Sequence, residues 1–160
     1  MPNVNTGYFN SVPTNETIQG LDVNLSVLLT ETLKKKNKAI KDLETNIRCE
    51  SLPTIKGDKV QLSCLFDILI DTIFKNHHGV STLFLYVDCV QERDASVKKG
   101  IKYLIKFFTN VSIGKNWKEL NAEVLNECNQ IILAHNGVFS INTIDNSNCL
   151  FTVCFPGKGF

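Results

Sequence analysis

The chain has 160 residues, the length of one domain with a sizeable core. Apolar residues make up 43% and charged residues 21%, which excludes a disordered polymer. A formal net charge of +1 argues against a broad electrostatic footprint for nucleic acid or a membrane surface.

No apolar run approaches the roughly 18–20 residues of a membrane helix, and the first twenty residues have neither a basic start nor an apolar stretch. A cytoplasmic protein without membrane contact is expected. The six cysteines (Cys49, Cys64, Cys89, Cys128, Cys149, Cys154) form no C-x-x-C pair, and His77, His78 and His135 stand in no ligand spacing with them. Zinc needs clustered thiolates or imidazoles, so reduced and mostly buried thiols are expected, with no metal site.

Residues 1–20 are polar, rich in Asn and Thr, and read as a tail or linker before a domain over 21–160. From Asp22, Leu25, Leu28, Leu29, Leu33 and Ile40 fall mostly on one helical stripe, with Lys34, Lys35, Lys36 and Lys38 towards its end. The lysines read as a solvated face that suits the negative end of a helix dipole, or as a phosphate or partner patch. Asn46 to Glu50 is a predicted strand. Pro53 and Gly57-Asp58 mark a turn, and Asp58 with Gln61 three residues on makes a capping-box pattern. The helix it opens runs to about Asn76, with Leu62, Leu65, Phe66, Leu69, Ile73 and Phe74 as its apolar face. His77-His78-Gly79 closes it. The histidine pair is a poor metal or proton-transfer candidate, because adjacent residues at a helix end point in different directions.

Leu83 to Val90 alternates as a strand, Gln91 to Gly100 reads as a polar turn, and Ile101 to Phe108 reads as an antiparallel partner strand. From Asn116, Trp117, Leu120, Val124, Cys128, Ile131 and His135 form one helical stripe, stopped at Asn136-Gly137. Leu65, Leu69, Ile73, Trp117, Val124 and Ile131 are expected to face a sheet as one core. Val138 to Ile144 and Cys149 to Phe155 read as two strands joined by a hairpin loop. Helices interleaved with largely antiparallel strands predict an α/β (α+β) two-layer sandwich, a mixed sheet covered on one face by helices.

Leu52-Pro53-Thr54, Gly57-Asp58 and Gln61-Leu62 match an "LPT-x-x-GD-x-x-QL" turn. Ile131 to Gly137 looks like a "K-I-V-E-x-H-G-G" helix end, and CLFTVCFP like a "STFTFTLP" strand. Over about residues 22–156 the chain resembles the ATP-binding catalytic domain of bacterial sensor histidine kinases of the phytochrome-like, multi-sensor type. The resemblance implies the Bergerat fold shared with gyrase B, Hsp90 and mismatch-repair ATPases.

The residues that such a domain uses on ATP are altered here. The N box, Asn-x-x-x-Asn-Ala-x-Lys, supplies a magnesium ligand and a phosphate-supporting lysine. Its asparagines become Ile68 and Thr72, and Lys75 remains. Magnesium demands hard oxygen ligands, which isoleucine cannot provide and the threonine hydroxyl provides poorly. The first glycine box, Asp-x-Gly-x-Gly, becomes Asn110-Val111-Ser112-Ile113-Gly114, so only Gly114 survives, and Asn110 replaces the adenine-binding aspartate. The segment also reads simply as a turn after a strand. The second glycine box falls on Ala122-Glu123-Val124-Leu125, without either glycine that would free backbone amides for phosphate. Too few residues lie between Gly114 and Ala122 for the family's long ATP lid. A phosphoacceptor "H-x-x-R-T/S-P" segment is missing.

The implied candidates for a vestigial nucleotide site are thus Thr72, Lys75, Asn110 and Gly114, with no catalytic or metal residue. No cofactor is expected, and Mg-ATP would bind weakly if at all. Three roles stay open: a degenerate domain that binds or regulates in two-component signalling, a divergent but working ATP-binding kinase domain, and a structural module of another kind. The resemblance implies as partner a response-regulator receiver domain or a partner histidine kinase, docked near Lys75 and the Lys115–Leu120 segment.

Overall fold

The computed structural model describes residues 20–77, 80–95, 100–111, 122–145 and 147–157. Strand β1 (Leu21–Asn24) leads directly into helix α1 (Leu25–Lys35). The helix starts at Leu25, the first residue of the apolar stripe. The reason is local: Asn24 is in an extended conformation and its side-chain oxygen accepts from Val27 N–H at 3.1 Å, an N-cap. Helix α2 (Asn37–Asp42) follows. It closes with Glu44 at φ 49°, Glu44 N–H on the Lys41 carbonyl at 3.1 Å and Thr45 N–H on the Ile40 carbonyl at 2.9 Å. That bond pair is a Schellman closure.

Strand β2 (Asn46–Cys49) agrees with expectation. The stretch from Pro53 does not end in a simple turn, because Thr54–Gly57 is a strand, β3, paired antiparallel with β1. Two short four-residue strands carry too little periodicity to be visible alone. Helix α3 (Lys59–Lys75) buries Leu62, Leu65, Phe66, Leu69, Ile73 and Phe74, as its stripe predicts. It also buries Ile70 and Thr72, because α1 flanks it as well as the sheet.

Strands β4 (Phe84–Asp94) and β5 (Gly100–Thr109) form a long antiparallel ladder from Leu85 opposite Thr109 to Asp94 opposite Gly100. The polar Gln91–Asp94 stretch is thus strand rather than turn. Backbone pairing with Gly100–Tyr103 holds it, and its side chains lie at the surface, so no apolar alternation is needed. Helix α4 (Ala122–Ala134) and the hairpin β6 (Val138–Asp145) and β7 (Asn148–Pro156) complete the fold. Within α4, Cys128, Ile131 and Ile132 are buried, whereas Val124 is only half-buried. Trp117 and Leu120 lie outside the described residues.

The main sheet has the order β2-β4-β5-β7-β6, with β2 and β4 parallel and the other pairs antiparallel. Leu85, Val87, Ile105, Phe107, Phe151, Val153 and Phe155 fill its helix side and are essentially inaccessible to water. Phe66 of α3 meets Phe107 edge-on, ring centroids 5.8 Å apart. This is the two-layer, mixed and largely antiparallel sandwich that the element order predicts.

The lysine run is partly absorbed in helix–helix pairing. Lys35 reaches Asp67 at 3.0 Å, and Lys36 reaches Asp71 at 2.9 Å and Asp67 at 3.5 Å. The cysteines are less buried than expected. Cys128 and Cys149 are buried, Cys64, Cys89 and Cys154 half-buried, and Cys49 exposed on the sheet edge; all six are free thiols. Burial pushes the thiol of Cys89 up to about 11, and those of Cys128 and Cys149 up to about 12. These three stay protonated and chemically quiet at neutral pH. No described helix is long and apolar enough to cross a membrane.

Candidate functional site

Thr72 and Lys75 sit on the last turns of α3. Thr72 is buried and its hydroxyl donates to the Ile68 carbonyl at 2.7 Å. One turn further, the Asn76 side-chain amide donates to the Thr72 carbonyl at 2.7 Å. Ile68, Thr72 and Asn76 thus form an i, i+4 column whose polar atoms are turned onto their own helix. Such back-bonding satisfies a threonine inside a helix and directs its donor to the backbone. Lys75 is exposed.

Asn110 follows β5 and clasps the chain at the start of β4. Its side-chain oxygen accepts from Phe84 N–H at 2.8 Å, and its side-chain NH₂ donates to the Thr82 carbonyl at 2.9 Å. Both ends of the amide are engaged with backbone, and they fix the entry to β4 against the exit of β5. An aspartate could accept the first bond but could not make the second. Val111 beside it is buried in the core. Gly114, Lys115–Leu120 and the His78-Gly79 pair lie outside the described residues. Ala122–Leu125, the segment that the resemblance sets against a second glycine box, is the first turn of α4.

The strongest polar constellation lies elsewhere, at a junction of the two motif-bearing ends of the chain. Asp58 caps α3, its carboxylate accepting from Gln61 N–H at 3.1 Å. A capping box would send the Gln61 side chain back to the Asp58 N–H. Instead that N–H donates to Nε2 of His135 at 3.0 Å. The other ring nitrogen, Nδ1, donates to the Ile131 carbonyl at 2.8 Å. His135 is therefore a neutral imidazole, protonated on Nδ1 and accepting on Nε2. A Cβ on Gly57 would lie 2.8 Å from Cδ2 of this ring, and that contact requires glycine. The helix end that carries His135 is a Schellman closure. Asn136 stands at φ 60°, its N–H bonds the Leu133 carbonyl at 2.9 Å, and Gly137 N–H bonds the Ile132 carbonyl at 2.8 Å. Sequence inspection assigned His135 to a structural helix end but gave no sign of its partner. Gly57-Asp58 and His135 do belong to the two motifs that carry the resemblance.

Burial lowers the pKa of His135 from its ordinary value of 6.5, against smaller opposing effects of the Ile131 carbonyl and Asp58. The unfolded chain consequently takes up a proton that the folded chain refuses. The stability from neutral His135 is fully present above about pH 6.5 and is lost as pH falls from there through the depressed folded value. Urea unfolding between pH 5 and 8 is expected to show this decline, and His135→Gln is expected to lessen its slope. An unchanged slope in the variant would assign the decline to other groups.

Beside His135 lies a cavity of about 140 Å³ lined by Thr54, Lys56, Asn136 and Phe155, among others. Ligand pockets usually enclose roughly 300 Å³ or more, so this space suits water rather than a nucleotide.

No family model matches the chain, and no curated protein matches it. Solved structures do. The mycobacterial sensor histidine kinase MprB superposes with a TM-score of 0.68 at 13% identity, over 88% of this chain and 99% of that one. The nucleotide-free catalytic domain of the histidine kinase ThkA gives 0.66 at 14% identity, over 85% and 94%. The chain has the histidine-kinase catalytic-domain fold. The ATP-binding domain of PrrB from Mycobacterium tuberculosis extends the likeness, at TM-score 0.63, 18% identity, 88% of this chain and 99% of that one. ThkA has also been solved in complex with the response regulator TrrA, and there the match covers 86% of this chain and 42% of the other, at TM-score 0.60 and 15% identity. α3 is the helix that carries Ile68 and Thr72.

Proposed function

We propose that this chain, over residues 21–160, is a degenerate histidine-kinase ATPase-like domain that serves two-component signal transduction as a binding or regulatory module, with weak or no ATP binding. The observation that carries this reading is the engagement of Asn110. At the adenine position its amide is spent on Phe84 and Thr82, and it works as a strand latch. Thr72, at the magnesium position, turns its hydroxyl onto Ile68. Ala122–Leu125, at the phosphate-cradling position, is helix. Thr72, Lys75, Asn110 and Gly114 are on this reading the remains of a nucleotide site.

The alternative is a divergent, working ATP-binding domain that phosphorylates a histidine on another domain or chain. Lys75 favours it, because it keeps the N-box lysine exposed. Isothermal titration with Mg-ATP separates the two. The expected result is no saturable heat in the micromolar range, with or without magnesium. A low-micromolar, magnesium-dependent dissociation constant would overturn the degenerate reading.

The ThkA–TrrA complex supports a receiver domain as the class of partner. A partner histidine kinase is the other candidate. The expected docking edge includes Lys75 and residues 115–120. Chemical-shift titration with receiver domains should move residues 72–77, and shifts confined to the open face of the main sheet would place the partner elsewhere.

A further inference from the structure

We propose that the face of the main sheet turned away from the helices is the contact surface of a homodimer, in which two copies of this chain pack sheet on sheet about a two-fold axis between β4 and β5. The proposal uses none of Thr72, Lys75, Asn110 and Gly114 and does not depend on the nucleotide-site reading.

The first observation is the make-up of the face. Leu85, Val87, Ile105 and Phe107 point to the helices, so the residues that alternate with them point away. Of these, Phe84, Tyr86, Leu104 and Phe108 are half-buried and Val90 is exposed, whereas their neighbours on the helix side are inaccessible to water. Phe84 meets Phe108 edge-on at 6.4 Å, and the Arg48 guanidinium lies 5.6 Å from the centre of the Tyr86 ring. Helices α1, α3 and α4 pack against one another on the other side, so among the described residues no helix covers this face.

The second observation is the register. The ladder sets Tyr86 opposite Phe108, Asp88 opposite Lys106, Val90 opposite Leu104 and Glu92 opposite Lys102. Each pair is matched: aromatic with aromatic, acid with base, aliphatic with aliphatic, acid with base. A two-fold axis parallel to the strands and midway between β4 and β5 lays each β4 residue over the copy of its own β5 partner. Tyr86 then meets the partner's Phe108, Asp88 the partner's Lys106, Val90 the partner's Leu104 and Glu92 the partner's Lys102. That is the self-complementarity which an isologous interface requires. Sheets stacked in this way lie about 10 Å apart with strand directions within about 30°.

The third observation is charge and extent. Glu50, Asp88, Glu92 and Asp94 stand on this face against Arg48, Lys102 and Lys106. A near-balanced face suits a second copy of itself. It lacks the basic track that single-stranded nucleic acid needs on an aromatic sheet. A net charge of +1 sets little repulsion between copies. Strands about 4.8 Å apart, with a rise of about 3.3 Å per residue, give roughly 500 Å² of overlap on each copy and about 1,000 Å² in all. That is the threshold of a specific interface and well short of an obligate one, so the dimer is reversible.

Sedimentation equilibrium of the full chain, with a dilution series of its amide spectrum from millimolar to micromolar, tests the idea. A reversible dimer is expected, with concentration-dependent shifts concentrated at residues 86–92 and 102–108. Asp88→Lys and Lys106→Glu each set like charges across the axis and should weaken self-association about 10-fold. Mixed one to one, the two variants restore both ion pairs and should associate about as well as the parent chain. Recovery in the mixture also excludes misfolding as the cause of the loss. In a half-labelled sample, isotope-filtered spectra should show the Tyr86 ring against the partner's Phe108. A monomer at millimolar concentration, a dimer whose shifts fall on other residues, variants that dimerise like the parent, or a mixture no better than its components overturns the proposal. Concentration-independent contacts between residues 86–92 and residues 1–19 would also overturn it, by assigning the face to the first segment of the same chain.

Discussion

Phe66→Ala is expected to lower the free energy of unfolding by about 3–5 kcal/mol, the range for truncating a buried phenylalanine. Phe66 is fully buried at the middle of α3, where that helix lies on the sheet. Its ring meets Phe107 edge-on with planes at 69°, a geometry that contributes about 0.5–1.5 kcal/mol beyond area burial. Small domains have roughly 5–15 kcal/mol in total, so this one truncation removes a large share. Leu69→Ala, one turn along the same face, should cost about 2–5 kcal/mol. Urea unfolding at neutral pH measures both. A near-neutral Phe66→Ala would mean that α3 does not seat on Phe107.

Gly57→Val is expected to cost about 2–6 kcal/mol, as the sum of two effects. The first is steric. Even the added Cβ would come within 2.9 Å of the His135 ring on two of its atoms and within 2.8 Å of Leu62 Cδ1. Forcing volume into such a packed site costs roughly 1–3 kcal/mol. The ring cannot retreat freely, because Asp58 N–H and the Ile131 carbonyl hold its two nitrogens. The second effect follows if the ring is displaced. Asp58 N–H then loses its acceptor at the start of α3, and an unsatisfied donor costs about 1–3 kcal/mol. A double-mutant cycle with His135→Ala tests the account. Gly57→Val should be markedly milder once the ring is gone, and strict additivity would place the strain elsewhere.

The core of the fold was legible because its signals are local or strictly periodic. The stripe from Leu62 to Phe74 selects one side of α3 whatever packs against it. The alternation of Leu85 and Val87, or of Phe151, Val153 and Phe155, likewise selects one face of a strand. Where the periodic signal was short or polar it misled. Gln91–Asp94 reads as turn because its side chains stay in water, although its backbone is fully laddered to β5. β1 and β3 are four residues each and exist through their pairing with one another.

Among the candidate site residues, identity was legible and engagement was not. The residue types at 68, 72, 75 and 110 follow from reading the chain. That the Asn110 amide is bound at both ends by backbone follows only from the approach of residues 82–84 to the end of β5.

The sequence by itself determined what depends on neighbours a few positions away: the Asp58 cap on Gln61 N–H, the apolar face of α3, the β6–β7 hairpin, the closure after His135. Rotation per residue and side-chain reach decide these, and both are properties of a short segment. Only the tertiary structure decided which groups meet across the chain. His135 takes the N–H that Gln61 was expected to take, 77 residues away. Lys36 turns from a solvated charge into the partner of Asp67 and Asp71. Among the described residues, Ile47 and Cys49 fall on the terminal strand because of the place of β2 in the sheet. The physical reason is the same in each case: a hydrogen-bonding or charged group has several acceptable partners, and the order of strands and helices selects which one comes within reach.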